Sequence, residues 1–142
     1  MLRNVPCLAC LCLATVGCSS DDGRVDVYPI NGKVLVKGQP ADGAEVAFYP
    51  TAPELQGPRT PVPEGTTDGS GVFRLQSYEP DDGAPAGEFN VTVVWPSPPP
   101  SNATGVFDFK DRLGGRYSDP QTSKLTARVE EGGGEIPAFE LQ

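Results

Sequence analysis

The chain has 142 residues and a formal net charge of −8, with 17 glycines, 16 prolines and no histidine. That length supports one domain around one core, and the acidic balance repels the phosphates of nucleic acid. The Gly and Pro density is too punctuated for a helical bundle, and the missing histidine removes the commonest general base and metal ligand.

In chain order, the first segment is "MLRNVPCLACLCLATVGCSS", which holds all four cysteines, Cys7, Cys10, Cys12 and Cys18. Arg3 precedes an apolar run from Val5 to Val16, too short to span a bilayer but suited to the core of a signal peptide. The "TVGC" end resembles the bacterial lipobox, in which a cysteine after a small residue is lipidated and becomes the first residue of the mature protein. The resemblance implies a lipoprotein signal peptide over residues 1–17, lipidation of Cys18, and a polar tether over 18–27. Acyl chains would then anchor the domain in the cell envelope, and Ser19 rather than Asp after the cysteine favours the outer membrane. Ordinary secretion is the alternative.

From residue 28 to 142 the pattern predicts one domain of short strands. "INGKVLVKG" sets Val34 and Val36 against Lys33, Leu35 and Lys37, and "GAEVAFYP" sets Val46 and Phe48 against Glu45 and Tyr49. "VFRLQSY" alternates about Phe73 and Leu75. "EFNVTVVW" places Phe89, Val91, Val93 and Trp95 on one face, and "LTARVEE" offers Leu125, Ala127 and Val129. "IPAFELQ" closes the chain, with Pro137 marking an edge strand. Half-buried strands of this kind pack as a single antiparallel β-sandwich of about seven strands, an all-β fold. Two proline-rich stretches, 50–65 and 96–105, are predicted to be extended surface loops.

"TTDGSGVFRL" has the residues of a tight hairpin turn: Gly69 and Gly71 supply positive φ, and Thr67 and Asp68 can bond the turn backbone. That explains the composition without metal, since an EF-hand loop would need an oxygen where Val72 stands. A cation shared with the loop "DDGAPAGE" would need Asp68, Asp81, Asp82 and Glu88 together. A candidate recognition loop is "DRLGGRYSDP", with Asp111, Arg112, Arg116, Tyr117 and Asp119. Its structural alternative is an ordered crossover in which Arg116 pairs with Asp119 and Tyr117 covers the core edge. Trp95, Tyr78 and Tyr117 are candidate stacking platforms for sugar rings, although the phase of Trp95 places it in the core.

The motifs Gly32 to Val34, Gly38 to Pro40, Thr67 to Phe73 and Gly87 to Val93 resemble, in order, those of carboxypeptidase regulatory-like, or transthyretin-like, β-sandwich domains. The run from Asp111 to Leu141 resembles the ends of small lipoproteins of planctomycete-type bacteria. The resemblance implies a prealbumin-like sandwich and specifies a fold rather than a function. Transthyretin-like hydrolases rely on histidine, so their activity does not carry over. The expectation is therefore a non-enzymatic, lipid-anchored envelope scaffold or interaction domain, without cofactor. Its partner would be an envelope protein or glycan, besides the membrane reached through Cys18, and the alternative reading is a carbohydrate-binding module.

Overall fold

The computed structural model describes residues 23–142, and the expected signal peptide, Cys18 and the start of the expected tether lie outside the described residues. Nine strands form: β1 (Ile30–Val36), β2 (Gln39–Pro40), β3 (Glu45–Pro50), β4 (Glu64–Thr66), β5 (Val72–Arg74), β6 (Gly87–Val94), β7 (Leu125–Val129), β8 (Gly134–Glu135) and β9 (Phe139–Leu141). The one 3-10 turn, Pro53–Leu55, is the only helical element among the described residues, so the fold is all-β.

The strands make two sheets. One has the order β4-β3-β6-β7, all antiparallel. The other is built on β1, whose first half is flanked by β5 and β8 and whose second half is flanked by β2 and β9. This sheet corrects the expectation of a wholly antiparallel fold, because β8 and β9 run parallel to β1. The chain leaves β7 in the opposite sheet and crosses over, and only a crossover of that kind delivers a parallel neighbour. Two strands, β2 and β8, have two residues each, and neither they nor β4 carries the alternation that marks the longer ones.

Alternation decides which faces meet. Val34, Val46, Phe48, Phe73, Phe89, Val91 and Val93 are buried between the sheets, where Phe48 sits 5.6 Å from Phe89 and 6.3 Å from both Phe73 and Phe139. The core also takes Leu75 just past β5 and Leu113 from the crossover before β7. On one side the two sheets are joined: the hairpin from β4 to β5 belongs to both, and Glu64 bridges Gln76. Gly65 permits this seam, because a Cβ there would collide with the carbonyl of Arg74. The proline-rich stretch 50–65 is therefore not wholly surface loop, since Pro63 is fully buried and its carbonyl accepts the Phe48 amide at 2.8 Å.

Candidate functional site

Strand direction sorts the loops into two ends. β3 and β6 pair so that Pro50 meets Phe89 at one end and Glu45 meets Val94 at the other. At the first, or near, end lie residues 24–28, the loop after β3 and the loop before β6; Tyr28 bridges Ala84, and the Thr51 amide donates to the Glu88 carbonyl at 2.9 Å. At the far end lie the turn before β3, the tip of the β4–β5 hairpin, and the segment 95–123. There the Gly43 amide donates to the Thr67 carbonyl at 3.0 Å, and the Trp95 indole Nε1 donates to the Asp42 carbonyl at 2.7 Å.

Each end is closed by an aspartate that accepts several backbone amides. At the near end Asp82 accepts the amides of Ser77 (2.6 Å), Tyr78 (2.9 Å) and Glu79 (2.9 Å). Burial pushes the pKa of this carboxyl up, but the backbone amides outweigh it and hold the group below the usual aspartate range. At the far end Asp111 accepts the amides of Trp95 (3.0 Å), Leu113 (3.0 Å) and Gly115 (2.8 Å), which fixes the start of the crossover against the end of β6. Asp68, at the hairpin tip, accepts the Ser70 hydroxyl (2.6 Å), the Ser70 amide (2.9 Å) and the Val72 amide (3.1 Å); the hydroxyl leads in holding its carboxyl below the usual range.

These bonds place the candidate metal residues. Asp68 and Asp82 are turn acceptors at opposite ends, and Asp81 stands beside Asp82 with φ +60°. Glu88 instead pairs with Arg128 at 3.4 Å. No group of three or more acidic, Cys or His side chains that could hold a metal forms among the described residues. The hairpin itself departs in detail from its sequence reading. Gly71 has φ +77° whereas Gly69 has no positive φ, and Thr67 is buried and reaches across the far end, where its hydroxyl accepts the Ala44 amide at 2.7 Å and donates to the Ala41 carbonyl.

The crossover residues also find structural partners. Tyr117 packs on the core edge, its carbonyl accepts the Val93 amide at 2.9 Å, and its hydroxyl accepts the Gln142 amide at 3.4 Å. Arg116 and Asp119 do not form the expected ion pair; the Asp119 carboxylate accepts the Gln121 amide at 2.8 Å, which the local turn places nearer than a long flexible guanidinium. The Arg112 guanidinium carbon lies over the Trp95 ring, 3.4 Å from its centre, so one ring face is already taken, and Trp95 is half-buried at the sheet end rather than fully in the core. Tyr78 is likewise engaged: Arg24 lies 5.0 Å from its ring centre and the Val25 amide donates to its hydroxyl at 3.2 Å. The last residues of the expected tether are thus laid against the domain.

Two features remain open to solvent. A cleft of about 690 Å³ runs along the outer face of β4, β3 and β6, lined by Glu45, Tyr49, Glu64, Asp68, Arg74, Asp81 and Thr92 among others. Its floor follows from alternation: Glu45, Ala47 and Tyr49 point outward because Val46 and Phe48 point inward. The second feature is an arm, residues 96–110, that leaves the end of β6 and returns to Asp111. Its base is fixed by the Pro96–Asp111 bridge and by the Ser97 amide donating to the Lys110 carbonyl at 2.8 Å. Pro98, Pro99 and Pro100 are exposed, as are Val106, completely, and Phe109, at 58%. Sequence reading marked the prolines, and alternation set Tyr49 opposite Val46 and Phe48; Val106 and Phe109 were missed, because exposure of single apolar residues in a loop leaves no periodic signal.

No helix among the described residues is long and apolar enough to cross a membrane. No family model and no curated protein matches the chain. In structure it is similar to a 9R-lipoxygenase from Cyanothece PCC8801, at 15% identity and a TM-score of 0.45, over 82% of this chain and 16% of the lipoxygenase; the chain thus spans about one sixth of that enzyme's length.

Proposed function

We propose that the chain is a non-enzymatic interaction domain of the bacterial cell envelope. In this reading a transthyretin-like sandwich is lipid-anchored through Cys18 at the outer membrane and presents its far end to a protein partner. The observation that carries it is the polarity of the sandwich. Arg24 and Val25 lie on Tyr78, so the described chain begins at the near end, while the arm rises from the opposite end of β6. Eight extended residues separate those ends by about 26 Å. A non-catalytic role is supported by the carboxylates: Asp68, Asp82, Asp111 and Asp119 each hold backbone amides, which a general acid or base would have to release.

Fractionation of cells expressing the full chain and a Cys18→Ala version tests the reading. Wild type is expected with outer-membrane fractions and Cys18→Ala with the soluble ones; identical fractionation of the two would overturn the anchor.

One observation favours a second reading, glycan binding. The cleft is polar, and its exposed Tyr49 stands among hydroxyl and carboxylate groups that suit sugar hydroxyls. The platform would be Tyr49 rather than Trp95 or Tyr78, whose faces carry arginines. A glycan array on which wild type and Tyr49→Ala behave alike removes this alternative.

A further inference from the structure

The arm is the largest part of the described chain that the fold does not explain. Its base is locked, by Asp111, by the Ser97–Lys110 bond and by the Arg112–Trp95 stack. Beyond the base, which takes Pro96 and Ser97, the outward limb is Pro98, Pro99 and Pro100. Proline fixes φ near −65° and pushes the residue before it into extended backbone, so this limb is held in the polyproline conformation before any partner arrives. The returning limb exposes Val106 completely and Phe109 at 58%, both more than Tyr49 or Val62.

We propose that this arm is the docking element of the domain, and that its partner is a protein with a groove lined by tyrosine or tryptophan that recognises a polyproline limb. A preformed polyproline segment loses little conformational entropy on binding, and its ridged apolar surface fits between aromatic rings. Charge supports recognition by shape: the arm holds one acidic and one basic residue, Asp108 and Lys110, in a chain of net charge −8. A second copy would bring another −8 and be repelled. An anchor at the near end sets the arm on the side of the domain away from the membrane, and here the inference rests on the anchored reading: Arg24 lies on Tyr78 at the near end, whereas the arm leaves the far end, about 26 Å away along β6.

The test places a photoreactive benzoylphenylalanine at Phe109, and separately at exposed Glu131 as a control, in the full chain in its native cells. The expected result is an adduct specific to position 109, with the joined peptide of a single envelope protein mapping to a surface rich in Tyr or Trp. Changing Pro98, Pro99 and Pro100 together to glycine should lower its yield about tenfold, because the preformed limb is lost while no core residue is touched. The same glycine variant should weaken binding of the purified chain to that protein by a similar factor. An adduct on lipid, on a second copy, equally at both positions, or unaffected by the glycines overturns the proposal, as does the absence of any adduct at 109. Cys18→Ala fractionation judges the anchor alone and proline dependence judges the arm, so either can fail without the other.

Discussion

The two ends of the sandwich are closed by the same devices and differ in what they leave outside. At each end an aspartate gathers three amides, Asp82 those of Ser77, Tyr78 and Glu79, and Asp111 those of Trp95, Leu113 and Gly115. At each end an arginine lies over an aromatic ring, Arg24 over Tyr78 and Arg112 over Trp95. A charged acceptor satisfies loop amides that no strand can satisfy, and an arginine shields an aromatic face that the core cannot cover. Because the devices recur where nothing is presented, they are means of closure, and the arginine–aromatic pairs need no ligand to explain them. What sets the far end apart is the arm, which contributes nothing to the core and keeps apolar side chains in water.

The sharpest way to break the comparison is to remove the far clamp. Asp111→Ala strands three amides and releases a contact sixteen residues long in sequence, so we expect a loss of about 3 kcal/mol, read as a fall in the melting temperature of about 10 °C. Asp82→Ala also strands three amides, but all lie within five residues, where local turns form partly without tertiary structure; we expect about 2 kcal/mol. Equal losses would show that sequence separation is irrelevant to these clamps. The near clamp also has a pH signature. Asp82 and Asp68 are both held below the usual aspartate range in the folded state, so their stabilisation is complete above the unfolded value of about 3.9 and is lost as pH falls through the folded values. Thermal melts of wild type should therefore weaken below about pH 4, and the pH slope should flatten in Asp82→Asn; an unchanged slope would mean that other groups carry the acid response.

That clamps and arm were unequally legible in the sequence has physical reasons. Alternation about Val34, Phe48, Phe73, Val91, Val129 and Phe139 identified six strands and the all-β fold, because burying one face of a pleated strand imposes period two. β4 escaped because "EGT" owes its place to Gly65 and the close approach of the Arg74 carbonyl, not to an apolar face. The parallel entry of β8 and β9 depends on a crossover that local pattern does not encode. In the candidate recognition loop Asp111 was singled out together with Arg112, Arg116, Tyr117 and Asp119, but its role as the organising side chain was not legible, because it depends on Trp95 lying beside it in space. Leu113, a lone apolar residue beside two glycines, gave no sign of belonging to the core.

The arginine stacks offer a finer contrast. The guanidinium lies 3.4 Å from the Trp95 ring centre but 5.0 Å from that of Tyr78, so the far stack is the tighter one. Arg112→Ala is expected to cost about 1 kcal/mol and to shift Trp95 emission to the red as water reaches the uncovered face. Because Trp95 is the only tryptophan, the signal reports that site alone. An unchanged spectrum would show that the Asp42 carbonyl and the core edge, not Arg112, shield the indole.

The smallest expected effect tests the difference between the ends most directly. If the arm is presented rather than packed, replacing residues 98–109 with a short glycine–serine turn removes no buried core residue and keeps the base bridge between Pro96 and Asp111. Shortening a loop lowers the entropy of its closure only slowly with length, so the melting temperature should stay within about 2 °C of wild type or rise. The indole should keep its emission, because its two partners, the Asp42 carbonyl and Arg112, and the Asp111 carboxylate that holds the Trp95 amide, all lie outside the excised segment. A large loss of stability would mean that the arm braces the end of β6, and the far end would then resemble the near one in purpose as well as in parts. A neutral result leaves twelve residues with exposed prolines, Val106 and Phe109 that folding does not require, and a partner's groove becomes the physical reason for keeping them in water.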